Sequence, residues 1–224
     1  MLRVFIGYDP RQPVAYNVLQ FSLMRRSTRP VAVTPLVIQQ LPIKRMGLTP
    51  FTYSRFLVPQ LCNFEGWALF LDLDMLVQGD IAELFDLADE NQAVMVVKNG
   101  ARFEWASVIL FNCGHPDNRK LTPEYLETAE GLHGIAWTDK IGALPPEWNH
   151  LVMYDPPKPA KLLHYTAGMP CYPETKDLGY ANEWMTELKQ MTMIVPWAQL
   201  MGNSVHAKPV LERLARAKQQ KPTI

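Results

Sequence analysis

One stretch limits what this chain can fold into: Trp67-Ala-Leu-Phe-Leu-Asp-Leu-Asp-Met-Leu-Val77. Five apolar residues, Trp67–Leu71, read as a buried strand. They run straight into two carboxylates, Asp72 and Asp74, one leucine apart. On an extended backbone, residues i and i+2 point to the same side, so the pair is expected to converge on one small volume at the strand's end. Two bare anions that close repel each other, and burial raises the cost. A divalent cation with a taste for oxygen ligands, Mg²⁺ or Mn²⁺, resolves the conflict. The alternative is two exposed strand-end acids, or one exposed and one capping the next turn.

The flanking sequence builds an α/β frame around this stretch. Residues 2–7 read as a first strand, and Tyr8-Asp9-Pro10 follow at its end. Pro13 suits the first turn of a helix over about 13–24, with Val14, Val18, Phe21 and Leu23 as its apolar positions. Residues 31–38 give a second strand. Strand, helix and strand at this spacing predict a mostly parallel sheet, in which ligands bind at the carboxyl ends of strands. Tyr8, Asp9, Asp72 and Asp74 then share one edge.

Further along, the pattern predicts a helix over 50–60 with Thr49 as N-cap and Pro50 in the first turn. Arg55 falls among its apolar residues and needs an anion partner or a route to solvent; a phosphate, a sugar or the aspartate pair would serve as partner. Asp80 is placed to cap a short helix over 81–87. Residues 93–98 and 107–112 read as strands, and Thr122 as the cap of a helix over 123–131. Residues 137–140 read as the start of a loop or short helix, and 144–149 as a proline-stiffened loop. A last strand, 161–165, carries His164, either a third metal ligand or a core histidine bonded to backbone. Helices over about 180–190 and 204–219 end the chain, followed by a Gln-rich basic tail.

The chain is expected to form one domain over 1–224, with a helical C-terminal extension from about 180. Its 22 Lys and Arg balance 22 Asp and Glu, so no net charge draws it to nucleic acid. No apolar run approaches the ~20 residues that span a bilayer. Cys62, Cys113 and Cys171 match no zinc spacing and suit a reducing compartment, so the expected setting is cytoplasmic.

Four segments, in order, carry a family resemblance: Phe5-Ile-Gly-Tyr-Asp9; Tyr53-Ser-Arg-Phe56 with Phe70-Leu-Asp-Leu-Asp-Met-Leu-Val77 and Asp80-Ile-Ala-Glu-Leu-Phe85; Leu144-Pro-Pro-Glu-Trp-Asn149; and Lys161-Leu-Leu-His-Tyr-Thr-Ala-Gly168. Together the chain resembles the retaining nucleotide-sugar glycosyltransferases of family 8, which have the GT-A fold and include glycogenins and bacterial lipopolysaccharide galactosyltransferases. The resemblance implies a mostly parallel Rossmann-like sheet flanked by helices. It implies transfer of a hexose from a UDP-sugar to a carbohydrate or glycoconjugate acceptor, with retention. Asp72, Asp74 and His164 would hold Mn²⁺ or Mg²⁺. Gly7, Tyr8, Asp9, Arg55, Asp72, Leu73, Asp74 and Gly168 would bind the donor, and Arg55, Asp139 and Lys140 would serve catalysis.

The chain departs from that pattern in three places. No lysine follows Gly168 until Lys176. Trp105-Ala106-Ser107 replaces an Asn-[Ser/Ala]-Gly, and Asp139-Lys140 stands where Asp-Gln is usual. These changes keep open a sugar-nucleotide binder without transfer activity. A further alternative is a haloacid dehalogenase-type phosphatase with Asp72 as nucleophile, although Leu76 fills a position where that superfamily has Thr or Val.

Overall fold

The structure is a computed structural model that describes residues 1–100 and 102–219. The tail beyond Gln219 lies outside the described residues. The chain divides into two compact units, Met1–Leu188 and Lys189–Ile224.

In the first unit, β1 (Leu2–Gly7), α1 (Pro13–Arg26) and β2 (Val31–Leu36) form the expected strand–helix–strand turn, with β1 and β2 parallel. Pro13 sits in the first turn of α1, where its missing N–H costs nothing. The buried face of α1 is Ala15, Tyr16, Val18, Leu19, Ser22 and Leu23, whereas Val14 and Phe21 stay half-buried at its margins. Ser22 is the polar exception on that face. Its hydroxyl donates to the Leu19 carbonyl and accepts from the Val77 amide at 3.1 Å, so it fastens α1 to the strand after the aspartates.

β3 (Trp67–Leu71), β5 (Val94–Val97), β6 (Val108–Asn112) and β7 (Ile141–Leu144) complete a six-stranded sheet in the order β2-β1-β3-β6-β5-β7. Only β6 runs against the rest. The sheet is thus mostly parallel, as the sequence pattern predicts. Its central strands β3 and β6 are buried except for the half-buried Trp67 at the start of β3, which matches their apolar runs. A smaller sheet joins β4 (Met75–Val77), β9 (Leu162–His164) and β8 (His150–Leu151) in the order β4-β9-β8. β7 and β8 flank the proline-stiffened loop, in stretches where the sequence pattern shows no strand. Pro145 and Pro146 obscure both strands, each of which is short enough to leave no period.

The aspartate pair lies where the chain passes from one sheet to the other. β3 ends at Leu71, and β4 begins at Met75 in the second sheet. Asp72–Asp74 form a bend rather than the continued strand expected from the sequence. The Asp72 amide donates to the Ser107 carbonyl at 3.1 Å, and the Asp74 carbonyl accepts from the Tyr165 amide at 2.9 Å. One aspartate is therefore tied to each sheet, and Leu73 between them is buried.

The single helix expected over 50–60 is not formed. Residues 50–53 are turns, Ser54–Leu57 is one 3₁₀ turn, and α2 covers only Val58–Leu61. Pro59 is the physical reason: it has no N–H to return to residue 55, so a regular helix cannot run through it. The Asp80 cap of α3 (Ile81–Phe85) and the Thr122 cap of α4 (Pro123–Thr128) are both present, each side chain accepting from a backbone amide. α5 (Ala181–Met191) spans the division between the units. The second unit holds α6 (Trp197–Met201) and α7 (Ala207–Gln219).

Within the first unit, α5 is pinned to α1 by charge. Glu187 is 1% exposed, and its carboxylate accepts from Arg25 at 2.9 Å and Arg26 at 2.7 Å. Burial raises its pKa, but the two guanidiniums outweigh that and leave it lowered. Removing the carboxylate strands two cations. Glu187→Ala is expected to cost about 2–3 kcal/mol of folding stability, read as a lower urea midpoint, and an unchanged midpoint would show the contact to be idle.

Candidate metal and sugar-nucleotide site

The carboxyl ends of β1 and β3 are neighbours in register, Ile6 beside Leu71. That register brings Tyr8 and Asp9 to the same edge as Asp72. Gly7 closes β1 under the Phe51 ring, and a Cβ there would run into that ring. Glycine at this position lets the loop before the 3₁₀ turn fold down over the sheet edge.

That loop delivers Arg55. Its guanidinium is 6% exposed, and Nη1 lies 3.0 Å from Asp72 Oδ1 and donates to the Ala106 carbonyl at 2.8 Å. Its Cζ sits 4.9 Å from the centre of the Phe70 ring. Of the partners open to Arg55 in the sequence, the structure supplies the aspartate pair.

Asp72, Asp74 and His164 each offer one ligand atom, and the three atoms lie within 4.8 Å of one another. His164 Nε2 faces Asp74 Oδ1 at 3.4 Å. On the other side of the ring, Nδ1 is 3.0 Å from Asn149 Oδ1. The amide of Asn149 is oriented in turn, because its Nδ2 donates to the Glu104 carbonyl at 3.3 Å. With oxygen as acceptor, the His164 proton belongs on Nδ1, which leaves the Nε2 lone pair toward the aspartates. Glu104 Oε2 stands 3.8 Å from the same Nδ1 and accepts from Ser107 Oγ at 2.8 Å.

The donor set fits a divalent cation. Two carboxylates and an imidazole suit Mn²⁺ or Mg²⁺ better than a soft metal. Asp72 Oδ1 is buried and has no hydrogen bond, since Arg55 approaches it at ion-pair distance without the angle for one. A buried, unbonded carboxylate oxygen is costly unless a cation takes it. Among the described residues, three carboxylates, counting Glu104, face one guanidinium here, an excess of negative charge that a divalent ion would reduce.

A family model described as glycosyl transferase family 8 matches residues 17–113. Protein CDI of Arabidopsis thaliana is 38% identical over 225 residues, covering 84% of this chain and 86% of that protein. The chain belongs to glycosyl transferase family 8. Its fold is also that of two solved glycosyltransferases. The bifunctional glycosyltransferase WbbM matches with a TM-score of 0.63 at 15% identity, over 95% of this chain and 51% of that one. The chain thus spans about half the length of that enzyme. The galactosyltransferase LgtC, solved in complex with donor and acceptor sugar analogs, matches with a TM-score of 0.61 at 13% identity, over 88% of this chain and 99% of that one. The family 8 fold leaves no place for the dehalogenase-type reading of Asp72.

Within this family 8 chain, the cluster opens on a cleft of about 240 Å³ whose walls include Thr52, Arg55, Glu104, His133 and Thr166. Burial pushes the Asp72 carboxyl up to about 6, with Arg55 pulling the other way and Asp74 adding to the rise. Burial acts to lower the His164 pKa, but Asp74, Asp72 and Glu104 together outweigh it and raise it.

The other residues singled out from the sequence divide sharply. Asp9 is fully buried, and its carboxylate is taken by Arg11, at 2.9 Å from Nε and 2.5 Å from Nη2, which holds it below the usual carboxylate range. Tyr8 is half-buried and packs edge-on against Tyr16. Gly168 has φ +114°, and a Cβ there would meet Thr175 at 2.9 Å, so its own loop requires glycine. Asp139 and Lys140 are exposed just before β7, at the amino end of that strand, where the Lys140 carbonyl accepts from the Ala93 amide at the start of β5. Asp72 and Asp74 lie at the carboxyl edge. The structure does not bring Asp139 and Lys140 to the cluster; they sit at the opposite edge of the sheet, which removes the geometric basis for a catalytic part.

Sequence reasoning passed over Asn149, Glu104 and His133. Asn149 stands in a motif quoted for its order alone, and its place beside His164 follows from β8 pairing with β9. Glu104 lies in a 3₁₀ segment before β6 that the sequence does not announce. His133 lies in another, Leu132–Gly134, edge-on to Phe56 at 5.4 Å.

Burial, with Arg55 and Arg45 nearby, lowers the His133 pKa to about 4 from an ordinary 6.5. Between those values the unfolded chain binds a proton that the folded chain refuses. Stability is therefore expected to fall as pH drops from 6.5 toward 4. Urea midpoints near neutral pH and at about pH 4.5 should differ less in His133→Gln than in the parent chain; an equal difference in both would assign the effect elsewhere.

Proposed function

We propose that this chain is a metal-dependent hexosyltransferase that uses a UDP-hexose and retains the anomeric configuration. The observation that carries the proposal is the convergence of Asp72, Asp74 and His164 at the carboxyl edge of the sheet in a family 8 chain. Mn²⁺ or Mg²⁺ would be held by one oxygen of each aspartate and by His164 Nε2. When bound, the ion supplies Lewis-acid stabilisation of the negative charge that builds on a departing nucleoside diphosphate. No protein acid is then needed at the leaving group.

The chain's own residues have separable tasks in this reading. Arg55 fixes the Asp72 carboxylate and contributes a positive wall to the cleft. Asn149 holds the His164 proton on Nδ1. The edge around Gly7, Tyr8 and Asp9 receives the nucleoside, with Asp9 acting through the exposed Arg11 that it holds in place. The turn at Gly168 faces the diphosphate, and Leu73 takes part through its backbone alone because its side chain is core. Asp139 and Lys140 are left out of the machinery. The acceptor is a carbohydrate or glycoconjugate. Three free cysteines support a reducing, cytoplasmic setting, and among the described residues no helix is long and apolar enough to cross a membrane.

The site is expected to bind UDP in a Mn²⁺-dependent way. Calorimetry with Mn²⁺ and with EDTA should differ strongly for the parent chain and not for Asp74→Ala; equal affinity in both buffers would sink the metal site. Asn149→Ala should weaken Mn²⁺ binding by roughly 10–100-fold, because Asn149 acts through His164.

A second reading has one observation in its favour. Asp139 and Lys140 lie away from the cleft, so the chain lacks them at the reacting face of the sugar. A sugar-nucleotide binder without turnover would then result. UDP-hexose hydrolysis in the presence of Mn²⁺, followed by NMR of the released sugar, separates the two: turnover supports the transferase, and tight binding with none supports the binder.

A further inference from the structure

The second unit, Lys189–Ile224, takes no part in the cluster and differs from the rest of the chain in charge. Six of the 22 Lys and Arg residues fall in 189–224, against one acid, Glu212. Residues 1–188 hold the remaining 16 basic residues against 21 acids. The neutral total therefore conceals five excess positive charges in this short segment and five excess negative charges elsewhere. Such asymmetry points to an anionic partner for the basic part.

Exposed apolar side chains crowd into the same segment. Ile194 is 89% exposed, Val205 81% and Leu200 65%. α6 has no buried residue, and the buried residue of α7 is Ala207. Along α7, Val210, Leu211 and Leu214 fall within one side of the helix, each more than a third exposed, while Lys208, Arg213 and Arg216 flank them and fill the other side. Two short helices with so little core are marginal on their own in water. Apolar groups bordered by cations call for a surface that is apolar beneath and anionic above.

We infer that residues 193–219 form an interfacial segment that lies on an anionic lipid surface, its apolar side chains in the acyl boundary and its Lys and Arg among the headgroup phosphates. It lies on the bilayer and does not cross it, for α7 has 13 residues. Each basic side chain near such a surface raises the partition about fivefold, and the apolar residues add a part that salt does not screen. Neither unit needs to change its fold.

The test uses the full chain and co-sedimentation with phosphatidylcholine vesicles, with and without phosphatidylglycerol, at low and high salt. The chain should sediment with the anionic vesicles and be largely released by salt. Lys208→Gln/Arg213→Gln/Arg216→Gln should lower the partition roughly a hundredfold. Ile194→Ser/Leu200→Ser should lower it at both salt concentrations. Circular dichroism and the thermal midpoint, unchanged in both variants, show that the first unit is intact; should either variant fail to fold, depth-dependent quenching of Trp197 by brominated lipid in the parent chain reports the same contact. No sedimentation, or equal sedimentation with neutral vesicles, overturns the inference. So does a dimer in analytical ultracentrifugation that the Ser variant dissolves, since the apolar side chains would then be covered by a second copy of the chain.

Discussion

The site depends on a charge conflict placed at a junction. Asp72 and Asp74 sit where the chain leaves the six-stranded sheet for the three-stranded one, and each is hydrogen-bonded through its backbone to a different sheet. The backbone of each aspartate is therefore held in place, and the two side chains start from fixed points on either side of the junction. Glu104 adds a third acid, and among the described residues Arg55 is the guanidinium that pairs with the cluster. Burial raises the Asp72 pKa despite the adjacent guanidinium, and Asp74 adds to the rise. A divalent cation is the simplest way to satisfy such a cluster, and the orientation of His164 Nε2 toward it fits that solution.

Support for the cluster comes from elements far apart in sequence. The 3₁₀ turn over Ser54–Leu57 brings Arg55, the approach to β6 brings Glu104 and Ser107, and the turn before β8 brings Asn149. Each supporting residue sets the orientation of another: Asn149 that of the His164 proton, Arg55 that of Asp72, Ser107 that of Glu104. Preorganisation of this kind keeps the ligands in place when charge moves during reaction. Local glycines serve the same end by steric means, Gly7 by admitting the Phe51 ring and Gly168 by turning beside Thr175.

Much of the frame could be read from pattern. The β1-α1-β2 unit, β3, β6 and β9 all follow from apolar runs and punctuation, because buried strands of a mostly parallel sheet must be apolar on both faces. Capping residues such as Asp80 and Thr122 are equally plain, since a short polar side chain before an apolar run has one common use. The reading failed where period is short or interrupted. Pro59 broke the helix expected over 50–60, and the prolines at 145 and 146 hid β7 and β8. It failed again at Asp139 and Lys140, where similarity in sequence order suggested a place at the site and the sheet put them at its other edge. The charge asymmetry of residues 189–224 was visible in the composition, yet it was masked by a net charge of zero.

The sequence by itself determined the chemistry of the cluster: two aspartates one residue apart after a buried strand, and a histidine near the end of another. Those side chains have few other ways to be buried together. Only the tertiary structure decided which residues serve them. Nothing local links Asn149 to His164 or Arg55 to Asp72; β8 beside β9, and a proline-broken turn over the sheet edge, bring these pairs within hydrogen-bonding or ion-pair distance. A ligand announces itself by its own chemistry, whereas its supporting residue is defined by proximity, and proximity belongs to the fold.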